Sequence, residues 1–316
     1  MNPDHLLVPG AALMVVAPHP DDESLAAGGL IQRALANGAR VHIVFVTDGD
    51  NNPWPQRVLE HRVFIGAAQR KRWGERRRLE AQHALQELGA VTAVVHRLQW
   101  PDGGVTSKLV DETTASVAQW RALIDEIEPT LLVLPDLADA HPDHSALHVL
   151  LELVLNGLPP ARQPHCLCYL LHGSARVDES RRASLELTQQ EAARKRAAIL
   201  AHRSQIALSR GRLLRFAGKE ESFAQGSGDQ ALSGPRLPWQ IPRWARGFMA
   251  LFVVDARGGQ RLDCDGAHEG AALLWRDGKT AARLARPLQA PYYVKLYSTL
   301  PSPWVFDHWG WKRFRS

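Results

Sequence analysis

Short apolar runs alternate with stretches of helical spacing over the first two-thirds of the chain. Leu13–Ala17, Val41–Val46, Val91–Leu98, Leu131–Leu134 and Cys166–Leu171 read as strands. Leu25–Ala36 reads as a helix stopped by Asn37-Gly38. After a long connection over residues 51–69, a second helix carries Ala81, Ala84, Leu85 and Leu88 on one face, with Gly89 as its C-terminal cap. Val117, Trp120, Ile124 and Ile127 line one face of a third helix, which Pro129 ends. Residues 146–155 are apolar all round, as a buried helix requires, and Thr188 with Glu191 forms a capping box for the next.

Strands joined by helices predict an α/β fold: a Rossmann-like, doubly wound, mainly parallel sheet with helices on both faces. In the strand order 3-2-1-4-5, strands one and four are neighbours at the switch point, where such sheets bind ligands. Past Gln205 the alternation stops. Residues 217–235, rich in Gly, Ser and charge, read as a linker or loop. Residues 236–316 hold six of the ten tryptophans, namely Trp239, Trp244, Trp275, Trp304, Trp309 and Trp311. Phe248–Val254 looks like a strand there, and Asp277-Gly278 like a hairpin turn. The expected organisation is a core over 1–216, a linker over 217–235 and a Trp-rich, β-containing extension over 236–316.

Composition narrows this little. With 316 residues, 45% hydrophobic and 22% charged, the chain has the make-up of a soluble globular protein. A net charge of +5 favours acidic partners, whether phosphorylated or uronic glycans, nucleic acid or an anionic membrane face. Met1–Gly10 lacks the pattern of a signal peptide, and no apolar stretch is long enough to span a bilayer. Cys166, Cys168 and Cys264 make no disulfide framework, so a reducing cytoplasm is the expected setting.

The chemistry lies at two strand ends. Directly after strand one comes Pro18-His19-Pro20-Asp21-Asp22-Glu23-Ser24, and after strand four comes His141-Pro142-Asp143-His144. With strands one and four adjacent, His19, Asp22 and His144 can converge. Two imidazoles and a carboxylate suit zinc in a catalytic arrangement with an open position for water, and Fe(II) accepts the same donors. A metal there activates water and polarises a carbonyl. Asp21 is placed to take the water's proton, and His141 to stabilise the oxyanion and protonate a leaving amine. Asp143 can orient His141. This reads as a hydrolytic site for an amide or related carbonyl.

These residues resemble the LmbE-like, PIG-L-type metal-dependent N-deacetylases. The match is carried by Pro18 to Glu23 and His141 to His144. Arg77-x-x-Glu80, Leu88-Gly89, Pro101-Asp102-Gly103 and Lys195 with His202-Arg203-Ser204-Gln205 also follow the pattern, and Glu221-Ser222-Phe223 echoes it. The resemblance spans about residues 10–225. It implies removal of an acetyl group from an N-acetylglucosaminyl compound, with His19, Asp22 and His144 as ligands to zinc, Asp21 as base and His141 as the acid or oxyanion-stabilising group. It further implies that Arg77 and Asp102 hold sugar hydroxyls, with Arg76 and Arg78 as close alternatives to Arg77.

Other polar residues have plainer readings. Glu23 suits a helix cap, Asp48 and Asp50 suit turn chemistry, and His202 suits packing. His172 ends strand five, either lining the crevice or bonded within the scaffold. The basic run Arg70–Arg78 is a solvated helix face or a phosphate contact. Most of the tryptophans suit a small β core, while exposed ones suit sugar stacking or a membrane surface. Charge and the Trp-rich extension favour an N-acetylated amino sugar on an envelope glycan or lipid-linked precursor, with peripheral membrane contact and no nucleic acid as partner. The alternatives are an amidase acting on a sugar–thiol conjugate or other small amide, and a non-catalytic glycan-binding module. A dinucleotide dehydrogenase is disfavoured, because no Gly-x-Gly-x-x-Gly follows strand one.

Overall fold

The structure, a computed structural model, describes residues 2–173, 179–226, 232–233, 238–239, 247–263, 273–277, 280–283, 288–300 and 305–315. The helices are α1 (Asp22–Ala36), α2 (Pro53–Glu60), α3 (Ala67–Glu87), α4 (Val105–Asp111), α5 (Thr113–Ile127), α6 (Pro142–Asn156), α7 (Gln189–Ala201) and α8 (Arg203–Leu213). The chain divides into two compact units. One comprises residues 1–104, 124–136 and 160–228, and the other residues 105–123, 137–159 and 229–316.

In the first unit, β1 (Ala12–Ala17), β2 (Arg40–Thr47), β3 (Val94–Trp100), β4 (Leu131–Pro135), β5 (His165–Tyr169), β6 (Arg182–Glu186) and β7 (Glu220–Gln225) form one sheet in the order β3-β2-β1-β4-β5-β7-β6. The first five strands run parallel to one another, as the strand–helix alternation predicts. Every residue of β1 and β4 is buried, which explains their unbroken apolar composition. One face of the sheet, through Leu13, Val15, Ile43 and Val133, packs on Ala27, Leu30 and Ile31 of α1 and on Ala81, Ala84 and Leu85 of α3.

Two stretches differ from the expectation. The connection over 51–69 contains α2, which starts with Pro53 and Pro55 in its first turn, where proline lacks no needed donor. The linker expected over 217–235 contains β7, a full member of the sheet, antiparallel to both β5 and β6. Its polar look has a physical cause. Glu221 points inward, where its carboxylate meets Lys195 Nζ at 2.6 Å and accepts the N–H groups of Gly29 at 2.6 Å and Leu30 at 2.9 Å. Helix α1 is interrupted at Ala27 (φ −134°), so these N–H groups begin its second segment, and Glu221 caps them. Gly29 is required there, because a Cβ would lie 2.2 Å from Leu187 Cδ2.

In the second unit, β8 (Leu232–Ser233), β9 (Met249–Asp255), β10 (Gly258–Asp263), β13 (Tyr292–Ser298) and β14 (Trp311–Arg315) form a sheet in the order β10-β9-β13-β14-β8. The expected hairpin supplies β11 (Leu273–Asp277) and β12 (Thr280–Arg283), an antiparallel pair, while Gly278 lies outside the described residues. Trp311 is buried, and Trp239 and Trp309 pack on the core of Leu251, Val253, Val294 and Phe314. Trp244, Trp304 and the side chain of Trp275 lie outside the described residues. Helix α6 joins this sheet through one carboxylate. Glu152 accepts the Tyr293 hydroxyl at 2.5 Å, pairs with Arg313 at 3.4 Å and lies 3.7 Å from His148 Nε2. Among the described residues, no helix is long and apolar enough to cross a membrane.

Removing one member of a buried ion pair strands the other. Glu221→Ala leaves the Lys195 ammonium and two α1 N–H groups without this carboxylate, and should cost about 3–5 kcal/mol in urea unfolding. The double variant Lys195→Met/Glu221→Leu should recover part of that loss. Equal urea midpoints for wild type and Glu221→Ala would rule out this role.

Candidate active site

The first cluster hangs from the end of β1. Pro18 and Pro20 restrict the backbone on either side of His19, and Asp21 takes φ 144°, a conformation costly for a residue with a Cβ. Asp22, the first residue of α1, accepts the His19 N–H at 2.8 Å and lies 3.4 Å from its Nδ1. On the other side of the ring, Nε2 is 3.2 Å from Asp102 Oδ1 in the turn after β3. Asp102 is tied down in turn by the Asn51 N–H at 2.7 Å. Burial pushes the Asp102 carboxyl up, but the bond and charge of His19, with Arg77 and the Asn51 N–H, outweigh it and hold it well below the usual carboxylate range.

Asp21 has a different environment. Arg77, only 4% exposed, donates through Nη2 to Asp21 Oδ1 at 3.0 Å and to the Pro20 carbonyl at 2.7 Å, and through Nη1 to the Gly49 carbonyl at 2.9 Å. Gly49 has φ +63°, and a Cβ there would lie 2.0 Å from Arg77 Nη1. The turn after β2 can therefore cover the guanidinium only with glycine. Burial raises the Asp21 pKa above the ordinary value. Arg77 opposes the rise, and the charges of Asp22 and Glu23 add to it. A carboxylate with a raised pKa is a stronger proton acceptor.

Glu23 does more than the cap expected of it. Fully buried, it accepts the Asp21 N–H at 3.0 Å and the Ser24 hydroxyl at 2.7 Å, and it meets His202 Nε2 at 3.2 Å. Burial pulls the His202 pKa down, yet the bond and charge of Glu23 bring it above its usual value. Glu80 plays a parallel part, accepting the Ser204 N–H at 3.0 Å and its hydroxyl at 2.5 Å at the start of α8. His202 thus belongs to the frame around Asp21.

The second cluster opens α6. His141 is the N-cap, and its Nδ1 accepts the Asp143 N–H at 3.2 Å. A ring nitrogen that accepts leaves the proton of the neutral imidazole on Nε2. The Asp143 carboxylate, expected to hold His141, accepts the Val105 N–H at 3.1 Å, so the contact seen with His141 runs through the main chain. His144 is fully buried, with its ring 5.1 Å from that of His141. Its Nδ1 lies 3.3 Å from Asp139 Oδ2, whose other oxygen accepts the His141 N–H at 2.9 Å. Asp139 escaped the sequence reading, although a carboxylate behind an imidazole is a common support for a metal ligand. The C-terminal extension also reaches this loop. The Asp307 N–H donates to the Ala140 carbonyl at 2.8 Å, and the Phe306 ring stands edge-on to His141 at 6.1 Å.

Each cluster has the His/Asp chemistry of a metal site, with a carboxylate beside an imidazole nitrogen of His19 and of His144. The strands behind them are neighbours: β1 pairs with β4 through Leu13 and Leu131. Asp48 lies 3.8 Å from Arg78, and Arg76 Nε lies 3.1 Å from Glu80, so neither arginine replaces Arg77 at Asp21.

Residues 14–155 match the model of the family described as PIG-L: GlcNAc-PI de-N-acetylase. A 1D-myo-inositol 2-acetamido-2-deoxy-alpha-D-glucopyranoside deacetylase of Mycobacteroides abscessus is 34% identical over 148 residues, 43% of this chain and 52% of the relative. The chain spans about half the length of the curated relatives it matches. A conserved protein of Thermus thermophilus superposes with a TM-score of 0.50 at 25% identity, covering 73% of this chain and 99% of that one. The N,N'-diacetylchitobiose deacetylase of Pyrococcus horikoshii shares the fold, with a TM-score of 0.51 at 20% identity over 69% of this chain and 84% of that one.

Arg77 is the charge that lowers the Asp21 pKa against burial. Arg77→Met should therefore move the Asp21 titration upward, read by carboxyl carbon NMR with Asp21→Asn to assign the signal. A downward shift or no shift would show that the guanidinium does not act on this carboxyl.

Proposed function

We propose that this chain, which carries a PIG-L (LmbE-like) deacetylase-family domain over residues 14–155, is a metal-dependent hydrolase that removes the N-acetyl group from an N-acetylated amino sugar. The observation that carries the proposal is the buried Asp21, with its raised pKa and its clamp to Arg77. It sits at the end of a strand whose neighbour leads, six residues beyond Pro135, into His141. The relatives named as glucosaminyl-inositol and chitobiose deacetylases support an amino sugar linked to a further ring. The positive charge favours a glycoconjugate that is acidic or lipid-linked, met in the cytoplasm or at a membrane face.

His19, Asp22 and His144 would hold zinc, and Fe(II) suits the same donors. A metal held there would polarise the acetyl carbonyl and make a water more acidic. Asp21 takes the proton as the water oxygen attacks the acetyl carbon. The Nε2–H of His141 faces the developing oxyanion as a donor, and the proton held by Asp21 passes to the nitrogen as the amide C–N bond breaks, releasing acetate and the free amine. Arg77 and Asp102, expected on sugar hydroxyls, are assigned to orienting Asp21 and His19, on which they already spend hydrogen bonds.

Asp21→Asn should lower kcat/KM on N-acetylglucosaminyl substrates by about 10²–10⁴-fold with the zinc content unchanged. His144→Ala should lose the zinc as well. Full turnover by Asp21→Asn, or undiminished zinc in His144→Ala, would overturn the assigned roles. Turnover of small amides with none of amino sugars would overturn the substrate class.

A further inference from the structure

The connection between β2 and α3 carries an exposed surface that the proposed chemistry does not use. Phe64 is 87% exposed, Val63 74%, Trp54 58% and Val58 51%. They lie close together along the chain, between positions 54 and 64. Trp54 and Val58 lie one turn apart on α2, Arg57 stands over the Trp54 ring at 5.0 Å, and its Nε donates to the Val63 carbonyl at 3.0 Å. The opposite side of α2 is fixed. Pro55 and Gln56 are buried, Gln56 donates to the Gln69 carbonyl at 2.8 Å, and the helix packs on α8. Large apolar side chains this exposed and this close together usually mark a contact surface.

The surroundings of the patch say what it touches. Residues 52–72 contain five basic side chains (Arg57, Arg62, Arg70, Lys71 and Arg72) against one acid, Glu60, which is itself paired with Arg72 at 3.4 Å. A second copy would bring the same positive charges together, whereas an anionic lipid surface meets both the charge and the apolar side chains. The residues that follow the patch in the chain, Ile65, Gly66, Arg70 and Lys71, line a cavity of about 520 Å³ together with Arg78. Asp48 and Asp50 also line it, and they flank the Gly49 carbonyl that receives Arg77. Asp48 Oδ1 lies 3.8 Å from Arg78 Nε, so this part of the wall pairs an acid with a base.

We propose that α2, residues 61–66 and the first turns of α3 dock the protein on an anionic phospholipid surface. Trp54, Val58, Val63 and Phe64 enter the headgroup–acyl boundary, and Arg62, Arg70 and Lys71 meet the phosphates. This deepens the deacetylase proposal, on which its consequence for the substrate rests: a lipid-carried amino sugar would arrive beside the turn that clamps the base.

Vesicle sedimentation of the full chain, without substrate, tests the docking itself. The wild type should bind phosphatidylglycerol-containing vesicles at least about tenfold more tightly than phosphatidylcholine vesicles, and should release in high salt. Trp54→Ser/Phe64→Ser should lose about tenfold or more of that binding, with an unchanged melting temperature and unchanged turnover of a soluble N-acetyl sugar. Equal binding to both vesicle types, or undiminished binding by the double variant, overturns the proposal. So does light scattering that shows a dimer broken by the double variant with no vesicle binding in the wild type. If vesicles bind as expected and no amino sugar is deacetylated, the docking surface stands and the deacetylase assignment falls.

Discussion

Arg77 ties the turn after β1 to the turn after β2, and the local chemistry at Asp21 depends on that tie. Its guanidinium bonds one side chain and two carbonyls, so a buried cation is met by a carboxylate and by main-chain dipoles together. The same contacts hold the Asp21 backbone in its costly conformation and restrain a pKa that burial drives upward. Gly49 is the condition for all of it, since any side chain there would occupy the space of the guanidinium.

Around this clamp a frame of buried carboxylates connects distant parts of the first unit. Glu23 reaches His202, Glu80 reaches Ser204, and Glu221 reaches both Lys195 and the broken helix α1. Several residues that carry the family likeness outside the two His/Asp clusters are therefore structural in their observed contacts. They fix the direction in which α1 leaves the sheet, and so the direction in which Asp21 and Asp22 are presented. Such polar frames cost desolvation, but once fully bonded they specify one arrangement.

The main sheet was legible because β1 and β4 are buried along their whole length, and β2 and β5 are buried over most or the last part of theirs, so these strands stand out as apolar runs. The two His/Asp clusters were legible because each follows such a run. What escaped notice involves partners far apart in sequence. The Glu23–His202 contact joins residues 179 apart, and Lys195–Glu221 joins residues 26 apart, which leaves no periodicity to detect. Strand β7 was hidden by the inward-facing Glu221, which local pattern counts as polar and exposed. Asp139 was passed over because its two bonds, to the His141 main chain and toward the His144 ring, exist only once the loop has folded.

Glu152 gives the C-terminal extension a different standing from that of an added module. Its carboxylate is shared among Tyr293, Arg313 and the neighbourhood of His148, and Asp307 reaches back to the carbonyl just before His141. A shortened chain ending before β13 would keep every residue of the two His/Asp clusters and still remove the hydroxyl and guanidinium that neutralise Glu152. It would also release the loop that carries His141. The family match ends at residue 155, whereas the partners of Glu152 lie beyond it, so a segment cut at that boundary would part this carboxylate from both.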